Sequence, residues 1–236
     1  MAEPTREARI AGVAALDQPL RRNLYALIAE RDTWVGRDEA AEQLELPRSV
    51  AAFHLDKLAE AGLLQVRYER PPGKAGPGAG RPAKLYRRAP AELSVSVPER
   101  KYELAGSLLA DAVLEATQSG GPVDDALTRA ARAAGAEFGA AARADLPRRP
   151  AAKALRTAAV GALEELGYEP RGSRAEILLA NCPFHRLAER HRALICGMNL
   201  DLIAGLAQGL GAEDRLVPRL DPEPEMCCVR IACGTG

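Results

Sequence analysis

The chain has 236 residues, 47% of them hydrophobic, enough apolar material for one large core or two modest ones, and its length favours two. Lysine plus arginine balances aspartate plus glutamate at 32 each, so no global basic field argues for nucleic acid and any cationic surface must be local. No apolar run reaches the roughly 18 residues of a membrane helix, and Met1 to Ala11 is charged and lacks the apolar stretch of a signal peptide, so we expect a cytoplasmic chain with no membrane partner.

Asp17 to Glu30 places Leu20, Leu24, Leu27 and Ile28 on one stripe and predicts an amphipathic helix. Gly36 opens a short helix over Arg37–Leu44, with Ala40, Ala41 and Leu44 as its apolar face, and Glu45–Leu46–Pro47 breaks it. Proline fits a first helical turn, so a third helix should run from Pro47 to Ala61 and stop at Gly62. Leu63 to Arg70 reads as a strand and Lys84–Arg87 as its return partner. The Pro/Gly-rich stretch between them, 71–82, cannot build a core and reads as a hairpin tip. After a proline-interrupted connector at 89–98, Tyr102 to Ala116 carries Leu104, Leu108, Ala112 and Leu114 on a helical stripe, which we expect to be a dimer helix. Asp124–Ala142 and Ala151–Leu166 are alanine-rich helices, Tyr168–Leu179 a hairpin or strand pair, His191–Gly211 a helix and Cys228–Ala232 a short final strand.

A short helix, a tight turn, a second helix ending in Ala-Gly-Leu-Leu and a basic hairpin follow the order of a winged helix-turn-helix. From Arg67 to Arg88 the basic residues are Arg67, Arg70, Lys74, Arg81, Lys84, Arg87 and Arg88, against the single acid Glu69, which makes a phosphate-contacting patch. Val50, Phe53, Leu55 and Leu58 are expected to face the core, leaving Arg48, Ser49, Ala52, His54 and Lys57 for solvent or a groove. Arg48 and Ser49 lie at the helix N-terminus, where free amides favour the anionic backbone and an arginine can read guanine edges. Arg81 and Lys84 would add contacts from the wing, Arg81 in a minor groove or on phosphate. For His54 the plainer expectation is packing at the helix edge or a phosphate contact. On Asp38–Leu44, Pro47–Leu58 and Gly80–Tyr86 the segment resembles the ArsR/MarR/DeoR-like winged-helix regulators.

All five cysteines, Cys182, Cys196, Cys227, Cys228 and Cys233, lie in the last quarter of the chain, a clustering that in a reducing cytosol suggests metal chemistry before disulfides. Thirteen residues separate Cys182 from Cys196 and thirty separate Cys196 from Cys227. Thiolates from well-separated segments suit an iron–sulphur cluster or a zinc ion, since both need three or four soft ligands on one point. Strand alternation would turn one of Cys227 and Cys228 into the core and the other to the site, and Cys233 in the glycine-rich terminus reads as a bystander.

Asn181–Cys182–Pro183–Phe184–His185, Ile195–Cys196–Gly197–Met198–Asn199 and Cys227–Cys228–Val229 resemble the C-terminal signature of SufR-like regulators, winged-helix repressors that hold an iron–sulphur cluster and control cluster-assembly genes. The resemblance implies Cys182, Cys196 and one of Cys227 or Cys228 as ligands, His185 as the nearby nitrogen candidate, and a 4Fe-4S cluster ahead of 2Fe-2S, with zinc the alternative. The expected fold is therefore mainly α with small β elements (α+β): a winged helix-turn-helix at 1–92, a dimerisation helix and linker at 93–120, and an α/β sensor domain at 121–236. The expected function is a homodimeric regulator, a repressor of double-stranded operator DNA controlled by the cluster. The alternatives are a winged-helix regulator with structural zinc, a thiol switch or a small-ligand pocket. No Gly-rich phosphate loop, HExxH, GxSxG or paired catalytic histidine occurs, so no enzyme is expected.

Overall fold

Thr5 caps the first helix, its Oγ1 accepting from the Ala8 amide at 3.2 Å. The computed structural model describes residues 4–70, 82–173 and 175–234 and divides into two units, Met1–Val95 and Ser96–Gly236. Among the described residues no helix is long and apolar enough to cross a membrane.

In the first unit α1 (Arg6–Ala15) is followed by α2 (Pro19–Ala29), which proline opens because its missing amide hydrogen is not needed in a first turn. Leu24 and Ile28 on α2 are fully buried. After β1 (Val35–Gly36) come α3 (Arg37–Gln43) and α4 (Arg48–Glu60), joined through Glu45 in a left-handed conformation with φ 52°. Gly62, at φ 76°, turns the chain out of α4 into β2 (Leu64–Glu69), which pairs antiparallel with β3 (Ala83–Arg88). The sheet order is β1-β3-β2. Leu24, Ile28, Leu55, Leu58 and Tyr86 meet in its core, and each buried aliphatic side chain contributes about 2 kcal/mol.

The buried face of α4 is Ala51, His54, Leu55 and Leu58, which corrects the expected phase. Leu55 and Leu58 fix the stripe, and stepping back four residues from each reaches Ala51 and His54, so Phe53 is turned out and is 56% exposed.

The second unit contains α5 (Tyr102–Ser119), α6 (Val123–Ala144), α7 (Ala152–Glu165), β4 (Pro170–Gly172), β5 (Glu176–Leu179), α8 (His185–Arg190), α9 (Arg192–Gly209), β6 (Leu216–Leu220) and β7 (Val229–Cys233). The strands form one antiparallel sheet in the order β4-β5-β7-β6. Pro218 is tolerated because β6 lies at the edge. The stripe of α5 that packs in this core is Ala105, Leu108, Ala112 and Ala116; Val113 and Leu114 face outward, 52% and 59% exposed.

Helices α6 and α9 approach so closely that their backbones touch. A Cβ on Gly135 would stand 1.9 Å from the Leu202 carbonyl oxygen, and one on Gly205 2.1 Å from that of Arg132. Gly139 and Gly209 repeat the contact one turn on. This small-residue seam lets α9 be buried over most of its length, and α9 carries Cys196 and Asn199 in its first turns.

Candidate metal centre and candidate nucleic-acid interface

Three segments of the second unit deliver the cysteines. Cys182 lies in the turn after β5, Cys196 on α9, and Cys227–Cys228 just before β7. The Cys227 amide donates to the Leu179 carbonyl at 2.8 Å and the Cys228 carbonyl accepts from the Asp221 amide at 2.8 Å, so both ends of the dipeptide are anchored. Cys182, Cys196 and Cys227 are buried, Cys228 is half-buried, and all are free thiols.

The thiols perturb one another's acidity as a chain of pairs: Cys182 with Cys227, Cys227 with Cys228, and Cys228 with Cys196. Among the described residues no group of three or more His, Cys, Asp or Glu side chains stands ready-set to hold a metal ion.

Their acidities diverge accordingly. The Cys227 thiol, hydrogen-bonded to Cys182, holds Cys182 below the usual thiol range against the opposing effect of burial, with help from the Phe184 backbone. The same bond, with burial, pushes Cys227 up to about 12. Burial, then the bond to Cys228, pushes Cys196 up to about 12, and the bond to Cys227 followed by burial raises Cys228.

Cys227 is buried and Cys228 half-buried, and the dipeptide lies outside the pleat that strand alternation assumed. The reason is local: β7 begins only at Val229, so the dipeptide lies in irregular chain that no pleat governs. Cys233, at the far end of β7, pairs in register with Leu216 and takes no part in that chain. His185 does not join the sulphurs either. It opens α8 with its side chain 56% exposed, and its Nε2 lies 3.2 Å from Glu189 one turn on.

Two polar systems support this site. Asn199, fully buried, donates from Nδ2 to the Cys227 sulphur at 3.2 Å and accepts the Tyr168 hydroxyl on Oδ1. Tyr168 had not been singled out from sequence, and Asn199 only as the last residue of the Ile195–Asn199 segment; its polar amide three residues from Cys196 is the readable signal. The second system straps the start of the unit to the Cys182 turn. Arg100 donates to the Cys182 carbonyl at 3.1 Å and to the Asn181 side-chain oxygen, and the Asn181 amide reaches the Glu99 and Gly167 carbonyls at 3.0 and 2.6 Å. The Lys101 amide, at the N-cap of α5, donates to the Pro183 carbonyl at 3.2 Å.

In the first unit, the outer face of α4 carries Arg48 and Ser49, both exposed, half-buried Ala52, exposed Phe53 and exposed Lys57. Arg48 pairs with Asp38, and Lys57 with Glu60 at 2.6 Å. Such exposed pairs are worth little and can be exchanged for phosphate. His54 is buried and its Nδ1 has no hydrogen-bond partner, so it is not on that face.

Lys84 is likewise drawn inward. Asp56 accepts from Lys84 at 2.6 Å, from Arg37 at 2.6 Å and from the Tyr86 hydroxyl at 2.5 Å, clamping α4 to α3 and β3. Burial would raise the Asp56 carboxyl, but hydrogen bonds from Lys84, Tyr86 and Arg37 outweigh it and hold the group below its usual range. Trp34 stacks under Arg67 and Arg87, whose guanidinium carbons lie 4.6 and 5.0 Å from the ring centre. Arg81 and Lys74 lie outside the described residues.

No protein-family model, no curated protein and no solved structure matches the chain.

Proposed function

We propose that the chain is a DNA-binding transcriptional regulator in which the first unit is a winged helix-turn-helix and the second a sensor holding an iron–sulphur cluster on Cys182, Cys196, Cys227 and Cys228. The observation that carries the reading is that four thiols from three separate segments lie near enough to perturb one another's acidity, with Asn199 donating to the Cys227 sulphur among them. Four soft sulphur donors, three of them buried, fit a cluster, or a tetrahedral zinc as the second reading, because each takes four such ligands. His185, held by Glu189, leaves the fourth position to cysteine.

When bound, the cluster supplies a tie between the Cys182 turn, α9 and the 227–228 segment that oxidation or iron starvation removes. The chain carries the consequence onward. Arg100 and Lys101 bond the Cys182 turn to the N-terminus of α5, immediately after the linker from the first unit. Val113 and Leu114, exposed on α5, supply the apolar surface for the second copy of a homodimer. Operator affinity then follows the spacing of two α4 helices in successive major grooves. On each, Arg48, Ser49, Ala52, Phe53 and Lys57 form the reading face, with Phe53 replacing His54 in that role.

Anaerobic purification with visible absorption and quantification of iron, sulphide and zinc tests the sensor. A brown chain with iron and sulphide, colourless after Cys182→Ser, Cys196→Ser or Cys228→Ser, is expected. Stoichiometric zinc favours the second reading, and a metal-free colourless chain overturns both. Selection of bound duplexes from a random library, followed by titration of loaded and apo protein, tests the regulator; equal affinities would end the sensing role.

A further inference from the structure

Asn199 is an amide with nowhere ordinary to go. It is fully buried on α9, its Oδ1 is occupied by the Tyr168 hydroxyl, and its Nδ2 faces the Cys227 sulphur at 3.2 Å. Burying a primary amide is costly unless its donors find strong acceptors. A neutral thiol is a weak acceptor, whereas an ionised sulphur is a strong one, and charge-assisted bonds are about twice as strong as neutral ones. The amide is thus poorly matched to the resting thiols and well matched to thiolates.

Its orientation is not free. Tyr168 is buried and its hydroxyl donates to Oδ1, which turns the Nδ2 side of Asn199 toward the Cys227 sulphur. A reversed amide would aim its oxygen at the developing thiolate charge.

We propose that Asn199, oriented by Tyr168, is a positioning residue that donates an N–H···S hydrogen bond to metal-bound Cys227 and so sets how tightly the four-sulphur site holds its metal. The inference rests on the metal reading above and deepens it. Removing such an outer partner typically costs about 10- to 100-fold in metal affinity.

Cobalt(II) alone is the probe, titrated anaerobically into the full apo chain and read by its sulphur-to-cobalt charge-transfer and ligand-field bands. Asn199→Leu keeps the volume and removes both donors; we expect affinity to fall by about 10-fold or more with a shifted charge-transfer band and unchanged far-UV circular dichroism. Tyr168→Phe leaves the amide in place but unanchored, and should weaken cobalt binding by less with the same direction of band shift. Should Asn199→Leu fail to fold, Tyr168→Phe decides. Parental affinity and bands in the variant that folds would overturn the proposal while leaving the metal site standing. A parent chain that binds no cobalt would overturn the metal reading and this one together.

Discussion

Gly205→Ala inserts a single methyl group where α9 meets α6, and the structure sets its cost. The new Cβ would stand 2.1 Å from the Arg132 carbonyl oxygen, more than 1 Å inside ordinary contact, and 2.8 Å from the carbon of that carbonyl. These atoms belong to the backbone of a 22-residue helix, so no side-chain rotation relieves the clash and the two helices must separate. Overpacking of this kind costs about 1–3 kcal/mol, occasionally more, while alanine in a helix interior returns about 1 kcal/mol relative to glycine. The clash lies at the severe end, so we expect a net loss of about 2 kcal/mol. Gly161→Ala on α7, with no atom within 4 Å of the built Cβ, isolates the propensity effect and should gain about 0.5–1 kcal/mol.

The two units give the assay its resolution. Trp34, the sole tryptophan, belongs to the first unit, so its fluorescence follows that unit while far-UV circular dichroism follows both. Gly205→Ala should lower the circular-dichroism transition of the second unit by about 6 °C, at about 3 °C per kcal/mol, and leave the tryptophan transition in place. A Gly205→Ala chain at or above parental stability would refute the close backbone seam.

Four further outcomes are expected. Asp56 has a folded carboxyl held below its unfolded value, so its contribution is present above about pH 4 and lost as pH falls through the folded value; urea midpoints read by Trp34 should drop in that window and drop less in Asp56→Asn. His54 is held low by burial and the charge of Arg21, so the unfolded chain takes up a proton first as pH falls below about 6.5; His54→Leu should abolish the loss of stability between pH 7 and 5 and hold or raise the pH 7 midpoint. Phe53→Ala, at a side chain 56% exposed, should leave the urea midpoint within about 0.5 kcal/mol yet weaken binding to a selected duplex; unchanged binding would remove Phe53 from the reading face. His185→Ala and Cys233→Ser should retain full metal content, and loss of metal in either would place that residue among the ligands.

The sequence pattern located the helices that carry apolar stripes and the strands that alternate, and the boundaries of α2, α3, α4, β2 and β3 fall within a few residues of expectation. It missed elements that carry neither signal. In α1 the large apolar residues are Ile10 and Val13, both exposed, so no stripe is written there. β1 is two residues long, α8 six, and β6 contains a proline that argues against a strand until its edge position is known. The α4 phase was misjudged because hydrophobicity was weighed above spacing. Phe53 is the most apolar candidate, but Leu55 and Leu58 had already fixed a stripe that includes 54 and excludes 53.

The candidate centre was half legible for a different reason. Cysteine clustering late in the chain announces sulphur chemistry, but which sulphurs meet depends on where strands begin and end. The 227–228 expectation assumed a pleat that starts one residue too early: β7 starts at Val229, so strand alternation does not govern the dipeptide. Which charges remain free was legible only for local pairs such as Lys57–Glu60 and Arg67–Glu69. Lys84 counts as basic patch in the sequence and as an internal partner of Asp56 in the fold, and Arg67 and Arg87 spend part of their charge on Trp34. A cation's availability is decided by an acid or ring far along the chain, here 28 residues away for Lys84 and Asp56, and local composition carries no record of that pairing.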